Sequence, residues 1–238
     1  MSPDASEPRF EALADDAWLI HPAGVDDAAA ADINATIAVH RFAARLRSAA
    51  PAWLRDLVPA WTSLAVFFDP ERIDAEDARA WIAAQDAGED REAPGSSSRI
   101  VEIPVRYGGA FGEDLDAAAA ELGLTPDTLA ARHRAPLYTV AMIGFAPGFP
   151  YLGGLDPGLA LPRLATPRTR VPAGSVGIGG AQTGIYPRES PGGWRVIGRT
   201  PLTLFDPQRA SPSLLAPGDR VRFVAIDDDA FARLVRAP

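Results

Sequence analysis

Residues 1–90 alternate between short apolar runs and longer segments with apolar residues at helical spacing. Strands are predicted at 17–20, 54–60 and 62–68. Helices are predicted from Asp26 to about Ala49 and over 75–87, with Asp26 and Asp74 as their N-caps. The resulting order β-α-β-β-α is typical of a small two-layer α/β domain.

The stretch 88–98, GEDREAPGSSS, is polar and contains no aromatic or large aliphatic residue. Such a composition is typical of a flexible linker. We therefore expect an N-terminal α/β domain at 1–90, a linker at 91–98 and a second domain at 99–238.

The second domain begins with a strand and two short helices. The stretch 99–106 alternates apolar and polar residues, and because Pro104 interrupts it, an edge strand is predicted. Gly123 is a typical residue just past a helix end, and Thr125 with Pro126 is a typical helix beginning. Helices are accordingly predicted over 114–122 and 128–134.

Glycine and proline dominate the next part of the chain. Residues 140–202 hold 13 of the 21 glycines and 9 of the 23 prolines. Short apolar runs lie between the turns, at 138–145, 176–178, 194–197, 202–205 and 220–226. This spacing predicts an all-β structure, and a closed barrel rather than an open sheet. The expected fold class is α+β, a small two-layer α/β domain followed by a β-barrel domain.

The composition excludes several chemistries. All 23 basic residues are arginine, and the chain contains neither lysine nor cysteine. It can therefore supply no Schiff-base, P-loop or biotinylated lysine. It also lacks a thiolate nucleophile, a disulfide and any cysteine-based zinc or iron–sulfur site.

The charge and hydropathy patterns argue against two classes of partner. A formal net charge of −8 disfavours nucleic acid, whose phosphates need a basic surface. No apolar run approaches the roughly 20 residues of a membrane span. The N-terminus lacks the basic-then-apolar pattern of a signal peptide, so we expect a cytoplasmic protein with no membrane partner.

The negative charge is unevenly distributed along the chain. Residues 1–130 hold 24 acidic residues and 10 arginines, whereas residues 131–238 hold 7 and 13. The second part is therefore locally basic, with a net charge of +6, which favours a small anionic ligand. A mere difference between two surfaces explains the asymmetry equally well.

The histidines and serines do not form an evident hydrolase triad. Ser175 and Ser190 do not lie in the G-x-S-x-G turn that exposes a nucleophile. His21 and His40 are interpreted as structural or solvent-facing. His133, at the end of a predicted helix, is a candidate for a functional histidine, with a helix C-terminal charge interaction as the alternative.

No metal or dinucleotide site is predicted. No histidine or carboxylate spacing matches a known metal motif, and Asp227–Asp229 is typical of a solvated helix N-terminus. The glycine-rich run Gly177–Gly180 is not followed by a predicted helix, which argues against a dinucleotide fingerprint.

Arginines, amides and aromatic residues concentrate in the predicted barrel loops. Arginine binds carboxylate or phosphate through paired donors, and barrel mouths are common ligand sites. The candidate residues are Phe149, Tyr151, Arg163, Arg168, Arg170, Gln182, Thr183, Tyr186, Arg188 and Trp194. The alternative is a loop-rich barrel in which prolines brace turns and arginines are only solvated.

The sequence at 144–207, from GFAPGFPYLGG to RTPLTLFDP, closely resembles the KipI/PxpB family. That family includes the B subunit of 5-oxoprolinase and proteins called allophanate hydrolase subunit 1 and kinase inhibitor KipI. Further similar segments bring the resemblance to nearly the whole chain. They lie at 62–70, 101–115, 124–133 and 214–226.

The resemblance implies a fold, an activity and partners. The fold is a small α/β domain followed by a cyclophilin-like barrel, and the activity is ATP-dependent hydrolysis of 5-oxo-L-proline to L-glutamate. The implied partners are a homologous cyclophilin-like subunit, PxpC or KipA, and a third subunit, PxpA. With 238 residues this chain has no room for the second subunit, so we expect separate polypeptides and little activity alone.

Site roles follow as a hypothesis from this resemblance and the residue inventory. Phosphorylation of a lactam needs anion-binding groups more than a nucleophilic side chain. Arg168 and His133 are the predicted catalytic residues, as an anion clamp and a proton carrier. Substrate binding is assigned to Phe149, Tyr151, Arg163, Arg170, Gln182, Thr183, Tyr186 and Arg188, with ATP as co-substrate of the complex and no metal assigned.

Two alternatives to the oxoprolinase belong to other functional classes. One is a KipI-like inhibitor of a sensor histidine kinase, which would need an exposed docking surface. The other is a carboxyltransferase or allophanate-hydrolase type subunit. Since this chain has no lysine to biotinylate, the latter would need a separate biotin carrier.

Overall fold

The computed structural model describes residues 7–25, 33–86 and 99–236. The chain divides into two compact units, Met1–Ser98 and Arg99–Pro238. The predicted linker at 91–98 and the predicted N-cap Asp26 lie outside the described residues.

The first unit is an antiparallel sheet with two helices. The sheet has the strand order β1-β2-β4-β3. Its elements are β1 (Arg9–Ala14), β2 (Ala17–His21), α1 (Ile33–Ala49), β3 (Leu54–Pro59), β4 (Leu64–Phe68) and α2 (Ala75–Asp86). The predicted order is confirmed from β2 onward. Strand β1 was not predicted, because five of its six residues are exposed and it has no alternating apolar pattern.

The core of the first unit lies between this sheet and the helices. Val39, Phe42 and Leu46 of α1 are fully buried, at the spacing of one helix face. They share a core with Leu64 and Val66 of β4. Local capping fixes where α2 begins, since the backbone N–H of Asp77 donates to Asp74 Oδ1 at 2.8 Å.

The second unit is built around a closed seven-stranded barrel. The barrel order is β10-β7-β6-β13-β5-β12-β9, and β8 and β11 form a separate two-stranded sheet. The elements are β5 (Ile100–Tyr107), α3 (Leu115–Glu121), α4 (Pro126–Arg134), β6 (Tyr138–Ile143), β7 (Pro150–Gly153), β8 (Arg168–Val171), β9 (Ser175–Gly179), β10 (Gln182–Ile185), β11 (Ser190–Gly192), β12 (Arg195–Arg199), β13 (Arg220–Ala225) and α5 (Asp228–Arg236). The predicted α+β class and closed barrel are confirmed, and the barrel fits the cyclophilin-like fold that the resemblance implies.

The prediction of an edge strand at 99–106 is wrong. Strand β5 is one of the strands of the closed barrel, and it pairs with β13 in parallel on one side and with β12 antiparallel on the other. The carbonyls of Arg99 and Val105 accept hydrogen bonds from the N–H groups of Arg220 and Ile226, at the two ends of β13, so the backbone groups of alternate residues point toward that strand. The backbone nitrogen of Pro104 points toward the β12 side instead, and β12 pairs only with Arg106 and Tyr107 of β5. The missing N–H of Pro104 therefore costs no ladder hydrogen bond.

The strand predicted at 202–205 does not form. Only an isolated bridge between Phe205 and Ser213 lies there. Four short strands, β7, β8, β10 and β11, were not predicted. They contain three or four residues each, and all but β8 include glycine or proline, so no local pattern marks them and their pairing depends on distant partners.

Local signals correctly predicted the two short helices. Thr125 caps α4, its hydroxyl accepting from the Thr128 N–H at 3.1 Å. Gly123 follows α3 with φ 66°, and the N–H groups of Gly123 and Leu124 donate back to Ala120 and Ala119. This Schellman arrangement satisfies the carbonyls at the helix end.

Candidate functional site

His133 lies in the interior of the barrel unit and is fully buried. Its Nδ1 is 2.9 Å from the hydroxyl of Tyr107, and its Nε2 is 2.9 Å from the hydroxyl of Thr183. The Thr183 hydroxyl donates to the carbonyl of Gly177 at 2.9 Å, so it must accept from His133 Nε2–H. Nδ1 then accepts from Tyr107, and the ring is the neutral Nε2–H tautomer.

Burial holds this histidine in its neutral form. It lowers the pKa of His133 to about 3, and it raises the pKa of the neighbouring phenols Tyr107 and Tyr138 well above the usual tyrosine range. Every polar atom of the ring has a partner. The arrangement ties α4 to β5 and β10 and gives the ring no contact with solvent.

Arg168 is held by carboxylates of its own chain. Its two terminal nitrogens donate to the two oxygens of Asp114 at 2.9 and 2.6 Å, and its Nε lies 3.0 Å from Glu113 Oε1. The hydrogen bond with Asp114 raises the pKa of the Arg168 guanidinium. All three nitrogens of Arg168 thus have acidic partners, which link strand β8 to the beginning of α3.

A cluster of aromatic residues packs on the outer face of the barrel. Along β9, Val176 and Ile178 belong to the interior core, so Gly177 and Gly179 face outward. Trp194 lies against this outward face and, with Phe149, Tyr151 and Tyr186, forms a core separate from the barrel interior.

Glycines make the room for this cluster. A Cβ on Gly179 would lie 2.5 Å from the Trp194 indole nitrogen, and one on Gly184 would lie 3.0 Å from the same ring. A Cβ on Gly192 would collide with the Tyr186 phenol. Part of the glycine enrichment in this stretch therefore reflects the packing of aromatic side chains.

The aromatic cluster forms the wall of a cavity of about 260 Å³, which we call the aromatic pocket. Its lining residues are Phe145, Phe149, Tyr151, Arg163, Pro167, Tyr186, Pro191, Gly192, Gly193 and Trp194. The ring centroids of Phe149 lie 4.9 Å from Tyr151, 5.2 Å from Tyr186 and 5.5 Å from Trp194. The edge-on and tilted ring contacts are those that aromatic pairs prefer.

Arg163 is the charged residue of the pocket lining. It is exposed and forms no salt bridge within the described residues. Burial raises the pKa of Tyr151 and Tyr186, and the positive charge of Arg163 acts in the opposite direction on both. The pocket therefore offers one uncompensated cation beside two phenols that remain protonated at neutral pH.

The structure brings together only part of the predicted site. Phe149, Tyr151, Arg163 and Tyr186 line the pocket, with Trp194. The other predicted residues lie elsewhere. His133 and Thr183 are in the barrel interior, Arg168 is bound to Asp114, Gln182 is half-buried in β10, and Arg170 and Arg188 are exposed.

Several residues that shape this region were not predicted from the sequence. Phe145 and the run Pro191–Gly193 line the pocket, and Asp114 holds Arg168. An aromatic residue directly after Gly144 in a glycine- and proline-rich loop was a usable signal for Phe145. No sequence signal indicated the role of Asp114, because in the sequence it is indistinguishable from an ordinary helix N-cap.

The described parts of the chain contain neither a side-chain cluster that could hold a metal ion nor a helix that could cross a membrane. No three histidine or acidic side chains there are grouped so that they could hold a metal ion. Over the same residues, no helix combines the length and the apolarity that crossing a membrane requires.

Comparison with known proteins places the chain in a family. Residues 8–215 match the family model described as carboxyltransferase domain, subdomain C and D. The chain belongs to this carboxyltransferase C/D family. A family member from Bacillus subtilis, named as the B subunit of 5-oxoprolinase, is 45% identical over 207 residues, which cover 80% of this chain and 83% of that protein.

A second relative with the same name comes from Haemophilus influenzae. It is 60% identical over 126 residues, which cover 53% of this chain and 59% of that protein. The sequence resemblance to the KipI/PxpB family is thereby confirmed.

Solved structures agree on the fold. The crystal structure of TTHA0988 is 38% identical with a TM-score of 0.72 over 92% of this chain, and the chain spans only 40% of TTHA0988. The urea amidolyase of K. lactis has a TM-score of 0.72 at 19% identity, over 98% of this chain and 16% of that one. At this identity the likeness shows a shared fold.

Proposed function

We propose that this chain is the B subunit of an ATP-dependent 5-oxoprolinase, which converts 5-oxo-L-proline to L-glutamate. One observation carries the proposal. A chain 45% identical to the B subunit of a 5-oxoprolinase over most of its length has a small aromatic pocket with a single uncompensated arginine. The locally basic second half of the sequence supports the same class of anionic ligand.

The pocket suits a compact ring that carries a carboxylate. Its volume of about 260 Å³ lies just below the roughly 300–1,000 Å³ of sites for drug-sized ligands, which favours a small metabolite. Arg163 would pair with the carboxylate, and the aromatic walls would contact the methylene groups of the ring. The protonated phenols of Tyr151 and Tyr186 would donate hydrogen bonds to the lactam carbonyl.

This pocket would bind and orient the substrate rather than attack it. We propose that ATP transfers its terminal phosphoryl group to the lactam oxygen, leaving ADP, and that one water molecule then adds to the carbonyl carbon that bears this oxygen. The C–N bond breaks, the nitrogen takes up a proton, and a second water molecule hydrolyses the resulting acyl phosphate to glutamate and phosphate. The pocket lining contains no serine, histidine or carboxylate that could act as nucleophile or general base.

The remaining chemistry therefore belongs to partner subunits. We propose that a homologous cyclophilin-like subunit of the PxpC or KipA type and a PxpA subunit complete the enzyme. The small volume of the pocket favours binding of ATP on another subunit. Alone, this chain would bind 5-oxo-L-proline without turning it over.

Reconstitution tests the proposal directly. The chain is co-expressed with its candidate PxpC-type and PxpA-type partners, and glutamate release from 5-oxo-L-proline is measured. Activity is expected with all subunits and ATP present, and it should be lost when any one of them is omitted. Unchanged activity without this chain would overturn the assignment.

A carboxyltransferase role is the second candidate, favoured by the description of the matching family and by the shared fold with urea amidolyase. Since the chain contains no lysine, such an activity needs biotin on another protein. Avidin, which sequesters biotin, would abolish turnover of a carboxyltransferase complex and leave an oxoprolinase complex fully active.

A further inference from the structure

Phe145 occupies a backbone conformation that side chains rarely adopt. Its φ is 64°, in the left-handed region, and the N–H of Ala146 donates to the carbonyl of Gly144 at 2.7 Å. A hydrogen bond from residue i+2 to residue i defines a γ-turn, and the form with positive φ at its centre is rare and strained. Phe145 is the centre of this turn.

The surrounding hairpin loop holds the strain in place. It connects β6 to β7 and is closed by a hydrogen bond from the Gly144 N–H to the Phe149 carbonyl at 3.1 Å. Phe149 N–H also donates to the Ala146 carbonyl at 3.0 Å, around a turn with Pro147 and with Gly148 at φ 78°. Proline followed by glycine at positive φ is the pattern of a type II turn, which is rigid.

The loop itself does not require an aromatic residue at this position. Glycine adopts a positive φ without steric cost, and asparagine tolerates it. The Phe145 side chain is 63% exposed, so its burial gains little that would compensate for the strain. Backbone strain that the fold does not need is typical of a functional position.

The ring of Phe145 stands at the mouth of the aromatic pocket. Its centroid lies 5.4 Å from that of Phe149 and 6.4 Å from that of Tyr186, both in edge-on contact. Phe145 thus extends the aromatic wall outward, and most of the residue remains exposed to solvent. Arg163 is part of the same lining.

We infer that Phe145 is a specificity-determining residue of the aromatic pocket, whose ring covers the apolar face of a small carboxylate ligand paired with Arg163. The identification of that ligand as 5-oxo-L-proline rests on the proposed function. The strained turn fixes the ring before the ligand arrives, so binding does not need to order it.

Three variants of Phe145 test the role in the reconstituted complex. Phe145→Ala and Phe145→Gly remove the ring and should raise KM for 5-oxo-L-proline about 3- to 10-fold, with kcat within about twofold, as loss of an aromatic contact predicts. Phe145→Tyr keeps the ring and should retain the KM. An unchanged KM in the alanine and glycine variants, or an equal rise in the tyrosine variant, overturns the inference.

The thermal stabilities of Phe145→Gly and Phe145→Ala measure the backbone strain separately from the effect on KM. Alanine keeps the left-handed penalty and glycine removes it, so Phe145→Gly should unfold about 2–4 °C above Phe145→Ala. At a position with ordinary backbone geometry alanine is the more stable residue. A glycine variant that is no more stable than the alanine variant contradicts a strained turn.

A binding measurement separates this inference from the proposed function. Trp194 lines the pocket, and the other four tryptophans of the chain lie before residue 98. The part of the fluorescence change that Trp194→Phe abolishes therefore reports 5-oxo-L-proline binding to the full chain. Binding that weakens in Phe145→Ala, without turnover in any subunit combination, supports the role of Phe145 and refutes the oxoprolinase. Turnover with a KM that is unchanged in Phe145→Ala supports the oxoprolinase and refutes the role of Phe145. Absence of both binding and turnover overturns both hypotheses.

Discussion

Asp114 and Arg168 face each other through two parallel hydrogen bonds, although 54 positions separate them in the sequence. Asp114 is only 6% exposed, and its Oδ2 also accepts the backbone N–H of Val196 at 2.7 Å. One carboxylate therefore joins α3, the two-stranded β8–β11 sheet and barrel strand β12. Since strand β11 of that sheet carries Pro191 and Gly192 of the pocket wall, the pair positions one side of the pocket.

Removal of either partner should destabilise the barrel unit. Arg168→Ala leaves the buried Asp114 carboxylate without its paired donors, which costs about 1–3 kcal/mol. That loss corresponds to a decrease in Tm of roughly 2–4 °C for each kcal/mol in a chain of this size. Thermal unfolding measures the effect. Arg170→Ala is the matched control, because Arg170 is 80% exposed and pairs with Glu189 only at 3.5 Å.

Asp114→Asn distinguishes a positioning role of Arg168 from the substrate clamp predicted from sequence. If Arg168 positions the β8–β11 sheet, Asp114→Asn and Arg168→Ala should raise KM for 5-oxo-L-proline by similar factors in the reconstituted complex. If Arg168 binds substrate, Asp114→Asn frees its guanidinium and leaves KM unchanged or lower. The structure leads us to expect the first result.

The buried His133 should make the barrel unit sensitive to acid. The unfolded chain takes up a proton at this histidine near its ordinary pKa of about 6.5, whereas the native core keeps the ring neutral down to about pH 3. The contribution of His133 to the free energy of unfolding is therefore fully present above pH 6.5. It falls by about 1.4 kcal/mol for each pH unit of acidification below that value. Urea unfolding followed by Trp194 fluorescence between about pH 7 and pH 5 measures this loss.

His133→Gln is the control for this pH dependence. The variant keeps hydrogen-bonding groups near Tyr107 and Thr183 but has no titratable ring, so the difference in stability between wild type and variant should shrink as the pH falls. Tyr107 and Tyr138, which pack against the ring, stay protonated throughout this range because burial raises their pKa. A difference that does not change with pH would refute a neutral buried His133.

Elements with local signals were predictable from sequence, and elements that depend on distant partners were not. The α2 and α4 helices begin at Asp74 and Thr125, whose side chains accept hydrogen bonds three residues further on. Strand β10, by contrast, contains Gly184, whose absent side chain makes room for Trp194. No window of ten residues encodes that packing, so a glycine-rich strand resembles a loop.

The same distinction applies to the candidate site. The stretch in which arginines and aromatic residues concentrate contains Arg163, Tyr151 and Tyr186, which line the pocket. The pattern could not indicate which arginine is already neutralised. Pairing of Arg168 with Asp114 depends on tertiary structure, as does the burial of His133 beneath the barrel wall.

Two adjacent glycines should respond differently to the same substitution. Gly192→Ala drives a methyl group into the Tyr186 phenol, whereas a Cβ on Gly193 meets nothing closer than 3.6 Å. Gly192→Ala should therefore displace Tyr186 and raise KM for 5-oxo-L-proline, at a cost of about 1–3 kcal/mol for overpacking. Gly193→Ala should keep the Tm of wild type, because the added methyl group has room. Equal kinetics and Tm for the two variants would show that Tyr186 does not shape the pocket.

Arg163 should determine the charge preference of the pocket. Arg163→Ala removes the uncompensated cation beside Tyr151 and Tyr186, and loss of a hydrogen bond to a charged ligand costs about 1.5–3 kcal/mol. KM for 5-oxo-L-proline should therefore rise roughly 10- to 150-fold. Arg163→Lys should recover part of the loss, because lysine keeps the charge without the planar paired donors.

Arg188→Ala is the matched control for Arg163, because Arg188 is likewise an exposed arginine of the barrel loops but is not part of the pocket lining. It removes the same charge from the same unit and should leave KM within about twofold of wild type. The KM effect of Arg163→Ala should also weaken as ionic strength increases, since salt screens a partly exposed ion pair. If Arg188→Ala raised KM as much as Arg163→Ala, the basic surface as a whole, and not the pocket arginine, would attract the substrate.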